Sequence, residues 1–299
     1  MNHDEIEISI GLIKINSSYI CLRRLKPPYA NSLEFPGGKK KKQETSDHCL
    51  KRELKEELNI NVVKSKFICS IKHLYTQKLY KINIYMVHKY TGDIRSNEHR
   101  EIILYNSKCE HDVLPTHNRI LNLLKIPRIL KIINLSDINE NLLSNLNLYK
   151  FIRLRGISYN NYKKHIHDKL YNINFAGNLI VDYPYNYDWK ENFYGIHFKS
   201  NYLEKFSIDG REQSLIYSAS CHTDADVEIC NRKLFDFILI SPILKSTYSS
   251  KPIGWKQFSR LSQISFLPTL ALGGMSTTGD HLSQCTENNG FGLAGIKDV

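Results

Sequence analysis

Apolar and polar positions follow two different rhythms along this chain. In the first part, Ile6–Ile15 and Tyr19–Leu22 read as strands around the turn Asn16-Ser17-Ser18. Phe67–His73 and Lys81–His88 read as two more, the latter alternating through Ile82, Ile84 and Met86. Between them lie the turn-rich segment Phe35-Pro36-Gly37-Gly38, a basic run at Lys39–Lys42, and a helix from about Thr45 to Leu58 that Thr45 or Ser46 can cap. A second helix is expected at about His117–Leu124, and Pro127 marks a break. From Arg128 onward, short apolar runs recur at Ile129–Leu135, Phe151–Leu154, Asn178–Asp182, Gly195–Phe198, Ile216–Ser220, Phe237–Ser241, Thr269–Gly273 and Gly292–Ile296. Polar or amphipathic stretches separate most of them, among them Asp137–Leu146, Tyr159–Lys169, Asp224–Lys233 and Trp255–Leu261. This alternation predicts a (β/α)8 barrel, with a doubly wound open sheet as the alternative. The change of rhythm predicts two α/β domains, 1–126 and 129–299.

At 299 residues the chain exceeds what one typical domain needs. Its 41% hydrophobic and 24% charged residues exclude a disordered tail, a coiled coil or a collagen-like fibre. Lys+Arg number 41 against 30 Asp+Glu, a net charge of +11 that draws in anions. The abundance of Asn, Ile, Lys and Tyr makes part of that charge a compositional background, and no basic stripe marks a nucleic-acid surface. A small anionic substrate is therefore expected as partner, with no stable nucleic-acid or membrane binding. The seven cysteines are scattered without a Cys-x-x-Cys, and Cys221-His222 with Cys230 is too loosely spaced for a zinc site. Free thiols, an N-terminus without a signal pattern and no apolar run near ~20 residues predict a soluble cytoplasmic protein.

Chemistry concentrates in the helix at 45–58. At ~100° per residue, Glu53, Glu56 and Glu57 share one stripe beside the apolar stripe Leu50, Leu54 and Leu58. Like charges at this spacing repel, so gathering them calls for a cation, and hard oxygen ligands suit Mg2+ or Mn2+. The pattern Gly38-x5-Glu44-x7-Arg52-Glu53-Leu54-x-Glu56-Glu57-x-x-Ile60 resembles the Nudix box, with Asn59 where the usual form has Gly. Asn tolerates the left-handed conformation of a helix C-terminus. The resemblance implies an α/β/α sandwich with a mixed sheet and hydrolysis of a nucleoside diphosphate linked to another group. It also implies that Glu53, Glu56 and Glu57 hold Mg2+ (Mn2+ possible) with the Gly37 carbonyl, and that Arg52 pairs with a box glutamate. Glu53 and Glu98 are both candidates for the base that takes the water's proton.

Outside the box, Arg23 and Ala30-Asn31-Ser32-Leu33-Glu34-Phe35-Pro36-Gly37-Gly38-Lys39 resemble the MutT branch, the 8-oxo-dGTP diphosphatases. The implied reaction yields 8-oxo-dGMP and pyrophosphate, removing a mutagenic precursor from the nucleotide pool and so serving DNA replication and repair. Phe35 offers a stacking face for a base and Arg23 a forked donor for a purine oxygen. By the same resemblance Glu34, Pro36 and Gly37 line the substrate site, and Glu98 matches a further metal or base carboxylate. The segment Leu114-Pro115-Thr116-His117-Asn118 resembles the one whose Asn reads the oxidised guanine, and Asn118 takes that role with the register open by one residue. Where the branch has a His before Ala30, this chain carries Pro27-Pro28-Tyr29.

The second part resembles thiamine-phosphate synthase and its regulator-like relatives, which are TIM barrels. Phe151–Arg155, Gly195–Phe198, Ser218–His222, Asp236–Ile243, Ala271–Met275 and Gly292–Ile296 carry the likeness. In such barrels Gly273-Gly274 and Ala294-Gly295 would bind phosphate. Gly156-Ile157 lacks the synthase's lysine, and Phe198-Lys199-Ser200 lacks its Gly-Gln…Asp pattern. A stabilising partner, a vestigial site or a sensor is therefore expected rather than a synthase. Two further readings stand beside the 8-oxo-dGTP diphosphatase: hydrolysis of another substrate, such as a thiamine-related diphosphate, and a non-catalytic ligand-binding protein.

Overall fold

The fold was obtained as a computed structural model that describes residues 5–75, 78–97, 100–106, 111–156, 177–184, 193–212, 214–245, 251–297 and 299. It divides into two compact units, Met1–Leu124 and Lys125–Val299. The strands of the first unit are β1 (Glu5–Ile15), β2 (Ser18–Arg23), β3 (Leu33–Glu34), β4 (Gly37–Lys39), β5 (Asn61–Tyr75), β6 (Lys78–Thr91) and β7 (Ile102–Tyr105). Its helices are α1 (Ser46–Leu58) and α2 (His117–Leu123). The sheet is mixed, in the order β3-β2-β1-β6-β5, with β4 pairing β1 and β7 pairing β2. β1 and β6 run parallel, Ile8 facing Ile82 and Ile10 facing Ile84, while the other pairs are antiparallel.

Local chemistry fixes α1. The Thr45 side chain accepts from the His48 N–H as N-cap, and Asn59 closes the helix in the left-handed conformation, φ 58°. Leu50, Leu54 and Leu58 are fully buried with Ile13, Ile20 and Leu22 of the sheet. Gly11 permits the close approach: a Cβ there would lie 2.9 Å from Leu54 Cδ1. Ile10 and Leu12, alternating with Gly11 and Ile13, are buried too, so both faces of β1 are covered.

Two expectations are corrected in extent. Gly37–Lys39, read as part of a turn, is a short strand, because it pairs with Ile8–Ile10 of β1. The hairpin β5–β6 runs further than its hydrophobic alternation, with Tyr75 paired to Lys78 at one end and Asn61 to Thr91 at the other. Backbone hydrogen bonding continues there past the residues that alternate between apolar and polar.

In the second unit β8 (Ile129–Asn134), β9 (Phe151–Arg155), β10 (Asn178–Asp182), β11 (Gly195–Phe198), β12 (Ile216–Cys221), β13 (Phe237–Ile240), β14 (Thr269–Leu272) and β15 (Gly292–Gly295) form a closed parallel barrel. Closure is made by β15 pairing β8, Leu293 against Ile129, which excludes the open sheet. The helices here are α3 (Glu140–Asn145), α4 (Asp224–Lys233), α5 (Gly254–Ile264) and α6 (His281–Glu287). The helix expected at Tyr159–Lys169 lies outside the described residues. Alternate strand residues such as Ile196 and Phe198 join the apolar cluster. His197 between them is held by Ser218 (2.9 Å) and Ser220 (2.8 Å). Among the described residues no helix is long and apolar enough to cross a membrane.

The Gly11–Leu54 contact makes a stability prediction. Leu54→Ala should cost about 2–5 kcal/mol by leaving a cavity, and Gly11→Ala alone about 1–3 kcal/mol by overpacking. Because the new methyl enters the space that Leu54 vacates, urea unfolding of the double variant should show a loss smaller than the sum; strict additivity would refute the packing account.

Candidate active site

Gly37 and Gly38 let the loop between β3 and α1 run flat between two walls. A Cβ on Gly37 (φ 141°) would lie 2.1 Å from the Ser9 carbonyl oxygen, and one on Gly38 would lie 2.5 Å from the Glu53 carboxylate. The Gly37 N–H donates to Glu57 Oε2 at 2.7 Å, tying the loop to the helix.

Arg52 gathers the rest of the acidic face. Its guanidinium donates to both oxygens of Glu44 (2.8 and 2.9 Å), to Glu53 (2.7 Å), to Glu56 (3.0 Å) and to the Lys39 carbonyl (3.1 Å). Only a planar fork satisfies so many acceptors at once. The Arg52 hydrogen bonds hold the Glu44 carboxyl down at about 2, and those to Glu44 and Glu53 raise the pKa of Arg52 itself. Glu57 differs: it is 7% exposed and shares the buried side of the helix with Leu54 and Leu58. Burial pushes its carboxyl up to about 8, and the charges of Glu34 and Glu53 push the same way, while the Gly37 N–H and Arg100 oppose them. Arg100 donates to Glu57 Oε1 at 2.7 Å, to Glu34, and to the Arg23 carbonyl at 3.1 Å.

Among the described residues no three His, Cys, Asp or Glu side chains already converge as a metal group. Glu53 and Glu56 turn toward Arg52, and Glu57 toward Gly37 and Arg100. The donor chemistry nevertheless fits a hard divalent cation. Every donor is an oxygen, and four carboxylates, Glu44, Glu53, Glu56 and Glu57, are gathered on one helix and its approach. Glu98 lies outside the described residues.

Among the residues expected to meet substrate, Arg23 at the end of β2 binds Glu101 (2.5 Å) and the Asn31 carbonyl (2.8 Å); beside it Arg24 binds Glu34 (2.7 Å). The Pro36 carbonyl accepts from Gly11 at 2.9 Å. Phe35 is 5% exposed, and its ring stacks on His117 at 4.3 Å with 7° between the planes. That face of the ring is thereby filled from within the protein. Tyr75 fastens the start of α2 through a 2.7 Å hydrogen bond to Thr116. His117 points inward and is buried, whereas Asn118 is exposed.

The structure thus sets two hydrogen-bonded groups side by side on α1: Arg52 joins Glu44, Glu53 and Glu56, while Arg100 joins Glu34, Glu57 and, through Glu57, Gly37, with Arg23 reached through its main chain. Phe35 is linked to α2 through His117 rather than through Asn118. Arg24, Arg100 and His117 were missed by the sequence reading. The signal for Arg100 was an acidic residue, Glu34, that needed a partner.

Both ring nitrogens of His117 are buried without a hydrogen-bond partner, and burial lowers its pKa from the ordinary 6.5 to about 4. A depressed pKa means that its stabilising share is complete above pH 6.5 and is lost as the pH falls toward 4, about 3 kcal/mol in all. His117→Phe should keep the stack on Phe35 and lose less stability than the wild type between pH 7 and pH 4 in thermal unfolding. Parallel pH profiles for the two proteins would contradict this.

Residues 7–118 match the family model of the NUDIX domain. The 8-oxo-dGTP diphosphatase of Buchnera aphidicola subsp. Schizaphis graminum is 37% identical over 98 residues, covering 33% of this chain and 73% of that protein. The 8-oxo-dGTP diphosphatase of Haemophilus influenzae is 31% identical over 103 residues, covering 34% of this chain and 76% of that protein. A protein provisionally named thiamine-phosphate synthase 2 in Aquifex aeolicus is 28% identical over 104 residues, covering 34% of this chain and 55% of that protein. With the glycine loop, the arginine-braced glutamates and these relatives in view, the chain belongs to the Nudix family.

Proposed function

We propose that the N-terminal unit hydrolyses 8-oxo-dGTP to 8-oxo-dGMP and pyrophosphate, clearing a mutagenic nucleotide from the pool. The observation that carries this reading is the helix α1 constellation: Arg52 bracing Glu44, Glu53 and Glu56, with Glu57 tied to the Gly37 loop. Water attacks the β-phosphorus, and the bond from that phosphorus to the α–β bridging oxygen breaks. A Mg2+ ion held by Glu53, Glu56, Glu57, Glu98 and the Gly37 carbonyl would neutralise phosphate charge and lower the pKa of water. Glu53 or Glu98 takes the proton of the attacking water. Arg52 keeps Glu53 and Glu56 from splaying apart under mutual repulsion. Arg23, Glu34, Phe35, Pro36 and Asn118 form the base side. A site that hydrogen-bonds the 8-oxo tautomer leaves buried groups unpaired when dGTP enters, which costs a few kcal/mol.

For the C-terminal unit we propose a phosphate-bearing ligand, bound rather than turned over. A cavity of 980 Å³ opens at the C-terminal ends of the strands, lined by Arg153, Arg155, Lys199 and Lys245 and by Gly273 and Gly274. Both glycines have positive φ (103° and 69°), which turns their backbone sharply at the mouth. This positive lining favours anions.

Assaying the full chain with 8-oxo-dGTP, dGTP and thiamine diphosphate in Mg2+ separates the readings. We expect a preference for 8-oxo-dGTP in the wild type, and turnover that falls about 100-fold or more in Glu57→Gln. Equal rates on both purine nucleotides would remove the base assignment, turnover of thiamine diphosphate alone would favour the other hydrolase, and no turnover would leave a binding protein. Calorimetric titration with thiamine phosphate should give heat that Lys199→Ala and Lys245→Ala weaken; a flat titration would retire the ligand proposal.

A further inference from the structure

Arg95 and Asn97, which follow β6, grip the end of the helix that carries the glutamates. The Arg95 N–H donates to the Leu58 carbonyl at 3.1 Å and the Asn97 N–H to the Glu57 carbonyl at 3.1 Å. The Asn97 side chain donates to the carbonyls of Lys55 (3.2 Å) and Glu56 (3.1 Å). Together they satisfy the carbonyls of Glu56, Glu57 and Leu58, which the last turn of a helix leaves without partners, and add a second donor to that of Lys55, which already accepts from the Asn59 N–H. The Arg100 N–H donates to the Ser96 hydroxyl at 2.8 Å, and the Arg100 side chain is buried. It is 9% exposed and completes an ion chain, Arg24–Glu34–Arg100–Glu57. Its third nitrogen donates to the carbonyl of Arg23.

Arg100 therefore touches a metal-side glutamate, a base-side glutamate and the main chain of the base-side arginine with one rigid fork. We infer that Arg100 is a positioning residue that fixes the catalytic helix relative to the base-binding strands, so that it sets rate and base discrimination together. The inference rests on the hydrolase reading above. The physical reason lies in the buried charges. Glu34 and Glu57 repel across the position that Arg100 occupies, and a buried carboxylate stripped of its partner relaxes toward whatever charge or water it can find. A lysine carries the charge but presents a compact ammonium, and cannot hold three acceptors in fixed directions. Displacements of about 1 Å in a reacting array cost about 100-fold in rate.

The test compares wild type, Arg100→Lys and Asn97→Ala in the full chain. The readouts are kcat and KM for 8-oxo-dGTP and dGTP, thermal unfolding, and metal-free calorimetric binding of 8-oxo-dGMP. In Arg100→Lys we expect kcat to fall about 100-fold with KM changed less than about 3-fold. The preference for 8-oxo-dGTP over dGTP should drop about tenfold, and 8-oxo-dGMP should bind more weakly, in protein that still unfolds cooperatively. A lysine variant with unchanged kcat and preference overturns the inference. So does a loss that merely follows the unfolded fraction, since that would make Arg100 structural only. Should Arg100→Lys fail to fold, Asn97→Ala loosens the same grip from outside the ion chain, and an unchanged kcat there overturns the inference equally. A wild type that hydrolyses nucleotides without preferring 8-oxo-dGTP defeats the base assignment alone, and the kcat comparison on its best nucleotide still decides the role of Arg100.

Discussion

The first unit is organised around a carboxylate placed where carboxylates are costly. Glu57 falls on the side of helix α1 that also carries Leu54 and Leu58, so docking the helix on the sheet takes its charge out of water. A lone buried carboxylate would neutralise itself or unfold its surroundings. Here the Gly37 N–H takes one oxygen and Arg100 the other. Each answer imposes a further requirement. The first needs a loop with no side chain at 37, because β1 passes 2.1 Å from where a Cβ would stand. The second needs a buried arginine, which in turn needs Glu34 and the Arg23 carbonyl. The Gly37 strand, helix α1 and strands β2 and β3 are thereby locked together by the compensation of one charge.

The neighbouring glutamates meet a different situation. Glu56 lies toward solvent while Glu53 is half-buried against Gly38, and both share Arg52 with Glu44, so their repulsion is screened by one guanidinium and, at Glu56, by water. The same acidic face thus grades from the buried Glu57 through the half-buried Glu53 to the exposed Glu56.

The box was legible because its information is local. Thr45, Asn59 and the spacing of Glu53, Glu56 and Glu57 act through helix capping and helix period, which neighbouring residues alone dictate. The barrel was legible for a similar reason: fully buried parallel strands such as Phe237–Ile240 stand out as apolar runs bounded by turns. Other features depend on contacts distant in sequence. Gly37–Lys39 looks like a turn until β1 supplies its hydrogen bonds. Arg100 sits 43 residues from Glu57, in a polar stretch with no period, and only folding brings them together. Whether His117 or Asn118 faces inward depends on how α2 docks, a phase of one residue that seven helical positions do not specify.

The central claim is that this constellation directs water to the β-phosphorus of 8-oxo-dGTP. Hydrolysis in water enriched in oxygen-18, with both products analysed by mass spectrometry, tests it most directly. The account predicts one labelled oxygen in pyrophosphate and none in 8-oxo-dGMP. Label in the nucleotide would place the attack on the α-phosphorus and contradict the account, as would release of inorganic phosphate in place of pyrophosphate.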